Sequence, residues 1–129
     1  MSVNTVTTPI TGGLAGGYPD GWLNFGEAEA IAPLGSAQTD AKAISKALAV
    51  VTGADGTLGV ILPAINKAGQ TVAVYSATAT NGLKIYPNTS GTINGGSANA
   101  SITIEGKTMA IFVATDNATN WAAIYTVNT

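Results

Sequence analysis

The sequence of 129 residues contains no histidine, no cysteine and no arginine. Without histidine or cysteine, the chain cannot form a Ser-His-Asp or a Cys-His catalytic site, and a zinc ion would have only carboxylate ligands. Without arginine, it lacks the side chain that holds phosphate or guanine by two parallel hydrogen bonds. These absences exclude disulfide bonds, and they predict a protein without catalytic residues, cofactor or metal ion.

Charge is scarce as well. Only 9% of the residues are charged, against about 25% in a typical soluble domain. Five lysines and seven acidic residues give a net charge of −2, so the chain lacks the basic patch that nucleic acid requires. A membrane span needs about 18 consecutive apolar residues, a run that the sequence does not contain, and residues 1–9 lack the features of a signal peptide. We therefore expect a folded protein made in the cytoplasm, with neither nucleic acid nor membrane as a partner.

Residues 1–36 differ in composition from the rest of the chain. They hold seven of the sixteen glycines and three of the five prolines, and such residues destabilise helices and strands. The same segment contains Tyr18, Trp22 and Phe25, three aromatic residues that a simple linker would not need. We expect an extended arm, anchored by these three side chains on its own domain or on a neighbouring chain. Residues 37–129 then form the folded domain.

Residues 37–52 fit two patterns. Thr39 or Asp40 would suit the N-cap of a short helix, in which Ile44 and Leu48 would share one face. The same stretch also alternates with the period of a strand, and it ends in β-branched residues before the turn Asp55-Gly56. These last features favour a strand that enters a hairpin.

From residue 57 onward, short β-type segments are separated by turn signals every 8 to 12 residues. The predicted strands cover residues 59–62, 72–75, 83–86, 101–105, 109–115 and 121–127. This spacing is typical of a sandwich or a small barrel. The predicted fold class is all-β: a compact antiparallel β-sandwich or small barrel with an extended Gly-rich N-terminal arm.

The polar and aromatic residues offer few candidate sites. Glu27 and Glu29 would share one face of a strand, but a solvated face is a simpler interpretation of this pair than acid–base catalysis. The pair Asp116-Asn117 lacks the repeated Asp spacing of a calcium loop. Tyr75, Tyr86 and Trp121 are the candidates for a sugar-stacking platform, although Trp121 also suits a hydrophobic core.

Three segments carry a resemblance to a known family. They are residues 50–63 (VVTGADGTLGVILP), residues 83–96 (LKIYPNTSGTINGG), and residues 98–104 (ANASITI) followed by 109–116 (MAIFVATD) and Asn120-Trp121. Together they resemble small structural proteins of tailed-bacteriophage virions, of the head decoration, cement or head-fibre type. The resemblance covers about residues 37–125 and does not include the arm.

The resemblance implies a non-enzymatic protein on the surface of the phage head. Its expected partners are the major capsid protein and further copies of itself, in a homotrimer that stabilises contacts between capsomers. Tyr18, Trp22 and Phe25 are the candidate contacts to the capsid or to a neighbouring protomer. The alternative is a receptor- or glycan-binding module on a head fibre or tail, which would use Tyr75, Tyr86 and Trp121.

Overall fold

A computed structural model describes residues 25–126, which form ten strands. In chain order these are β1 (Ala28–Ile31), β2 (Lys42–Ala43), β3 (Leu48–Val51), β4 (Gly59–Ile61), β5 (Thr71–Ser76), β6 (Leu83–Tyr86), β7 (Thr92–Ile93), β8 (Ile102–Ile104), β9 (Met109–Ala114) and β10 (Asn120–Ile124). The one helical segment within this range is a 3-10 turn at Gln38–Asp40. The all-β prediction is confirmed.

The strands form two sheets, and the chain alternates between them. The first sheet has the order β1-β3-β5-β9-β10-β7, and the second has the order β2-β4-β6-β8. From β1 to β8, each strand lies in the sheet opposite to that of the strand before it. The first six strands therefore form three successive pairs, and each pair contributes one strand to each sheet.

The prediction of antiparallel pairing is wrong for most of the fold. Of the eight strand pairings within residues 25–126, five are parallel, including β1 with β3, β3 with β5, and β4 with β6. Three are antiparallel: β5 with β9, β9 with β10, and β6 with β8. The physical reason is the alternation between sheets, because a chain that crosses to the other sheet and back re-enters the first sheet in its original direction.

The turn at Asp55-Gly56 forms, but it does not close a hairpin. The Asp55 carboxylate accepts hydrogen bonds from the backbone N–H groups of Thr57 and Leu58, and Gly56 has a positive φ of 92°. The turn leads from β3 in the first sheet to β4 in the second. The strand interpretation is confirmed for residues 48–51, whereas the helical alternative for residues 37–52 is wrong.

Both sheets contribute to one hydrophobic core. It combines Val51, Val72, Val74, Phe112 and Trp121 of the first sheet with side chains of the second sheet, namely Val60, Leu83, Ile85 and Ile104. Phe112 is fully buried and Trp121 is 2% exposed. The core is therefore built from one face of each sheet, so that each sheet keeps a second, outward face.

The expected arm lies partly within the described residues. β1, at residues 28–31, pairs in parallel with β3 and forms an edge of the six-stranded sheet. This part of segment 1–36 therefore belongs to the sheet. Residues 1–24, with Tyr18 and Trp22, lie outside the described residues.

Candidate interaction surface

The outward face of the six-stranded sheet is mostly apolar. Eleven apolar residues lie on it, and we refer to them together as the apolar face: Ala28, Ala30, Leu48, Val50, Ala73, Tyr75, Met109, Ile111, Val113, Ala122 and Ile124. The polar residues Thr71, Thr92 and Asn120 lie on the same side of the sheet. None of these side chains is charged. A sheet face that is open to water normally carries polar residues, which alternate along each strand with the apolar residues of the core face.

Strand register places these residues on one side. Cα partners on neighbouring strands share a face, and five of them form a continuous row across the sheet: Ala28, Leu48, Ala73, Ile111 and Ile124. Residues in between, such as Val72, Val74 and Phe112, belong to the hydrophobic core. Because side chains alternate along a strand, the row points away from that core.

Several members of the apolar face are open to solvent in the single chain. Ile124 is 78% exposed, Met109 is 43% exposed and Val113 is 37% exposed. Ala73, in contrast, is completely buried, although it is not a member of the core. Its cross-strand neighbours are the larger residues Leu48 and Ile111. The face is thus continuous between its strands.

Polar groups gather at one end of this sheet, where β1, β3 and β5 begin. Lys46 forms an ion pair of 3.3 Å with Glu27. Glu29 accepts hydrogen bonds from the backbone N–H groups of Ser45 (2.7 Å) and Lys46 (2.9 Å) and from the Ser45 hydroxyl. The carboxylates of Glu27 and Glu29 therefore have structural partners, and neither residue belongs to the apolar face.

The outward face of the second sheet is different. It carries Lys84, which lies opposite Thr103, and Tyr86. The Tyr86 hydroxyl donates a hydrogen bond of 3.2 Å to the Ser36 carbonyl. Leu34 pairs with Gly59 through two backbone hydrogen bonds. The segment before the 3-10 turn thus covers this side, whereas Met109, Val113 and Ile124 of the apolar face are exposed.

The candidate glycan platform is not present as an exposed surface. Trp121 is 2% exposed and Tyr86 is 6% exposed, so neither ring offers a face on which a sugar could stack. The alternative interpretation of Trp121 as a core residue is confirmed. Tyr75 is half-buried and lies in the apolar face. The three aromatic residues are held apart because Tyr86 lies in the second sheet and Trp121 points into the core.

Of the three arm residues, only Phe25 is described, and it is half-buried. It directly precedes Gly26, which has a positive φ of 81°, and the edge strand β1 follows at residue 28. The roles expected of Tyr18 and Trp22 concern residues outside the described range.

Two open clefts of about 250 and 410 Å³ meet at Pro63 and Ala64. The side-chain amides of Gln70 and Asn88, which line them, bond to the protein itself. Gln70 accepts from the Asn66 N–H group and donates to the Ala64 carbonyl. Asn88 is likewise bonded to Trp121. These two amides are therefore already engaged and do not serve as the polar groups that fix a small ligand.

No group of three or more potential metal-ligating side chains occurs within residues 25–126. Asp116 acts as a turn residue: one carboxylate oxygen accepts the backbone N–H groups of Ala118, Thr119 and Asn120. Over the same range, no helix is long and apolar enough to cross a membrane.

The apolar face was not predicted from the sequence, although the sequence contains a signal for it. β3 (LAVV) and β9 (MAIFVA) are apolar at both alternate positions, a pattern that indicates a strand covered on both sides.

Comparison of the chain with models of protein families, with curated proteins and with solved structures gave no match.

Proposed function

We propose that this protein is a non-enzymatic structural component of a phage virion, a decoration or cement protein that binds the outer surface of the head as a homotrimer. In this proposal it stabilises the contacts between capsomers. The observation that carries the proposal is the apolar face, a sheet surface without charge and with exposed Met109, Val113 and Ile124. Exposed apolar surfaces of this kind mark contacts between proteins.

The composition of the chain supports the same function. A protein whose surface is largely covered by partners needs little charge for solubility, and only 9% of these residues are charged. The resemblance of residues 37–125 to small virion proteins supplies the phage context. The finer fold of the proposal is a β-sandwich, made by the two sheets that share one core, with a Gly-rich arm before it.

The proposed mechanism is multivalent binding. Each protomer extends its arm to the capsid, with Tyr18, Trp22 and Phe25 as anchors, because buried aromatic side chains carry much of the energy of protein interfaces. Burial of apolar surface contributes about 25 cal/mol per Å². Three arms on one trimer then multiply the effect of each modest contact through a high effective concentration.

The test is binding to capsids that lack the protein. Purified full-length protein should co-sediment with such capsids and should raise the temperature at which they open. The Trp22→Ala variant should bind more weakly, whereas a variant at Leu34, which is 51% exposed outside the apolar face, should bind like the wild type. Failure of the full-length protein to co-sediment would exclude the proposed function. Unchanged binding by a variant that lacks residues 1–26 would exclude the role of the arm.

A further inference from the structure

We infer that Asn81 is a site of spontaneous deamidation in the folded protein, where water replaces the nitrogen of the side chain and adds a negative charge. The inference goes beyond the proposed function and does not depend on it. It rests on the contrast between the two Asn-Gly steps of the sequence, Asn81-Gly82 and Asn94-Gly95.

An asparagine that precedes a glycine reacts with its own backbone. The backbone nitrogen of the glycine attacks the side-chain carbonyl carbon, Cγ, and the new C–N bond closes a five-membered succinimide ring. The side-chain nitrogen leaves as ammonia, which takes the proton of the attacking nitrogen. Water then opens the ring at either carbonyl and gives an aspartyl or an isoaspartyl residue, with no change of oxidation state. Glycine favours ring closure because it has no Cβ atom to hinder the approach.

Asn94 is held in place by β10. Its side-chain oxygen accepts a hydrogen bond of 2.8 Å from the Ala123 N–H group, and its side-chain nitrogen donates one of 3.1 Å to the Ala123 carbonyl. The backbone N–H group of Asn94 also donates to the Trp121 carbonyl at 2.8 Å. The side chain thus continues the pairing of β7 with β10. Ring closure at Asn94 therefore breaks two hydrogen bonds at the edge of the sheet.

Asn81 is attached more loosely. Its side chain is exposed, and the side-chain nitrogen donates one hydrogen bond of 3.2 Å to the Ala54 carbonyl. The residue lies between β5 and β6 and belongs to neither strand, so ring closure does not disturb the pairing of strands. Because fewer hydrogen bonds must break, the folded chain permits the reaction at Asn81 and slows it at Asn94.

The product should loosen the contact between the loop that holds Asn81 and the turn after β3. Deamidation replaces the amide donor at position 81 by a carboxylate, whose oxygen atoms only accept hydrogen bonds. This carboxylate would face the Ala54 carbonyl, which would then lack its donor. The same two segments are joined by a hydrogen bond of 3.0 Å from the Gly56 N–H group to the Gly82 carbonyl. The isoaspartyl product adds one carbon atom to the backbone beside Gly82 and strains this bond as well.

The first experiment follows both sites in the full-length protein during incubation at pH 8 and 37 °C, with and without concentrated urea. Trypsin cleaves after Lys67, Lys84 and Lys107, so positions 81 and 94 fall in the separate peptides 68–84 and 85–107, and mass spectrometry with fragmentation assigns the modified residue. In the folded protein, Asn81 should react about tenfold faster than Asn94, since ring closure there breaks fewer hydrogen bonds. In urea, where neither side chain is held, the two rates should become similar.

A second experiment uses variants and anion exchange, which separates proteins by charge. Asn81→Gln should age without the acidic shift of the wild type, because its longer side chain would have to close a less favourable six-membered ring. Asn66→Gln is the matched control, since Asn66 is also exposed but precedes lysine, and it should age like the wild type. Freshly prepared Asn81→Asp should elute with the aged wild type and unfold at a lower urea concentration than Asn66→Asp, which adds the same charge elsewhere.

Several outcomes would overturn the inference. Equal rates at positions 81 and 94 in the folded protein would do so, as would a folded chain that does not react at Asn81 under conditions in which the unfolded chain reacts. An Asn81→Gln variant that acquires negative charge as fast as the wild type would place the reaction elsewhere. Equal urea midpoints for Asn81→Asp and Asn66→Asp would contradict the loosening of the turn.

Discussion

The indole Nε1 of Trp121 donates a hydrogen bond of 2.8 Å to the side-chain Oδ1 of Asn88, and both residues are buried. Asn88 in turn donates from its side-chain nitrogen to the Ala118 carbonyl at 3.1 Å. The side-chain amide of Asn88 thus accepts the hydrogen bond of Trp121, the largest side chain of the core, and holds the turn before β10 in place. A buried polar group without a partner is costly, so this amide allows a tryptophan to lie in the core.

Substitution Asn88→Ala should destabilise the fold by about 1–3 kcal/mol, because it leaves the indole N–H group of Trp121 buried without an acceptor. Urea unfolding followed by tryptophan fluorescence measures the loss. The exposed neighbour Thr89 provides the control, and Thr89→Ala should unfold at nearly the wild-type urea concentration. Equal midpoints for the two variants would contradict the role given to Asn88.

Asp116 should make stability depend on pH in acid. Hydrogen bonds from the backbone N–H groups of Ala118, Asn120 and Thr119 lower the pKa of its carboxyl from 3.8 to about 2. A carboxyl with a lowered pKa contributes stability that is fully present above its ordinary pKa and is lost as the pH falls toward the lowered value. The urea midpoint of the wild type should therefore decrease between pH 4 and pH 2. This decrease should be smaller in Asp116→Asn, and parallel curves would rule out the contribution.

The Glu29 carboxylate should keep residues 45 and 46, which precede β3, in place. Partial burial raises the pKa of its carboxyl, but hydrogen bonds from the backbone N–H groups of Ser45 and Lys46 outweigh this effect, and the pKa is lowered overall. In Glu29→Ala, the amide protons of Ser45 and Lys46 should exchange with solvent faster. Glu27→Ala is the matched control because Glu27 contributes only an exposed ion pair, which is worth little. Similar exchange rates in both variants would refute the assignment.

A side chain at position 59 should destabilise the fold. A Cβ atom at this position would lie 2.7 Å from the Tyr86 ring and 3.0 Å from the Lys84 carbonyl. Gly59→Ala should therefore destabilise the protein by about 1–3 kcal/mol, as overpacking does. In a background of Tyr86→Leu the same substitution should cost less, since the ring is then absent. A double-mutant cycle by urea unfolding measures the coupling, and additive effects would show that the ring is not responsible.

The sequence predicted strands well where alternation and turn residues agreed. Residues 83–86 and the hairpin of β9 and β10 are examples, since Asp116 supplies the turn that the pattern indicates. The pairing of the strands could not be predicted in the same way. A turn such as Asp55-Gly56 reverses the chain equally well within one sheet or across to another. Its local residues therefore do not determine whether the next pairing is parallel.

The apolar face could not be predicted from the sequence because it depends on which strands pair with one another. A strand such as β9 shows from its own residues that both of its sides are apolar. Which strands lie beside it, and whether their apolar sides join, depends on contacts between distant parts of the chain. Ala73 meets Ile111 and Leu48 only because the strand order places β5 between β3 and β9.

The alternation of strands between two sheets also affects the timing of folding during synthesis. β3 and β5 pair early in the chain, but β5 lacks its second neighbour until residues 109–114 of β9 have been made. A ribosome adds about 5–20 residues per second, so an apolar strand edge stays open for seconds on each nascent chain. On a polysome, where many nascent chains are close together, this delay favours pairing between chains.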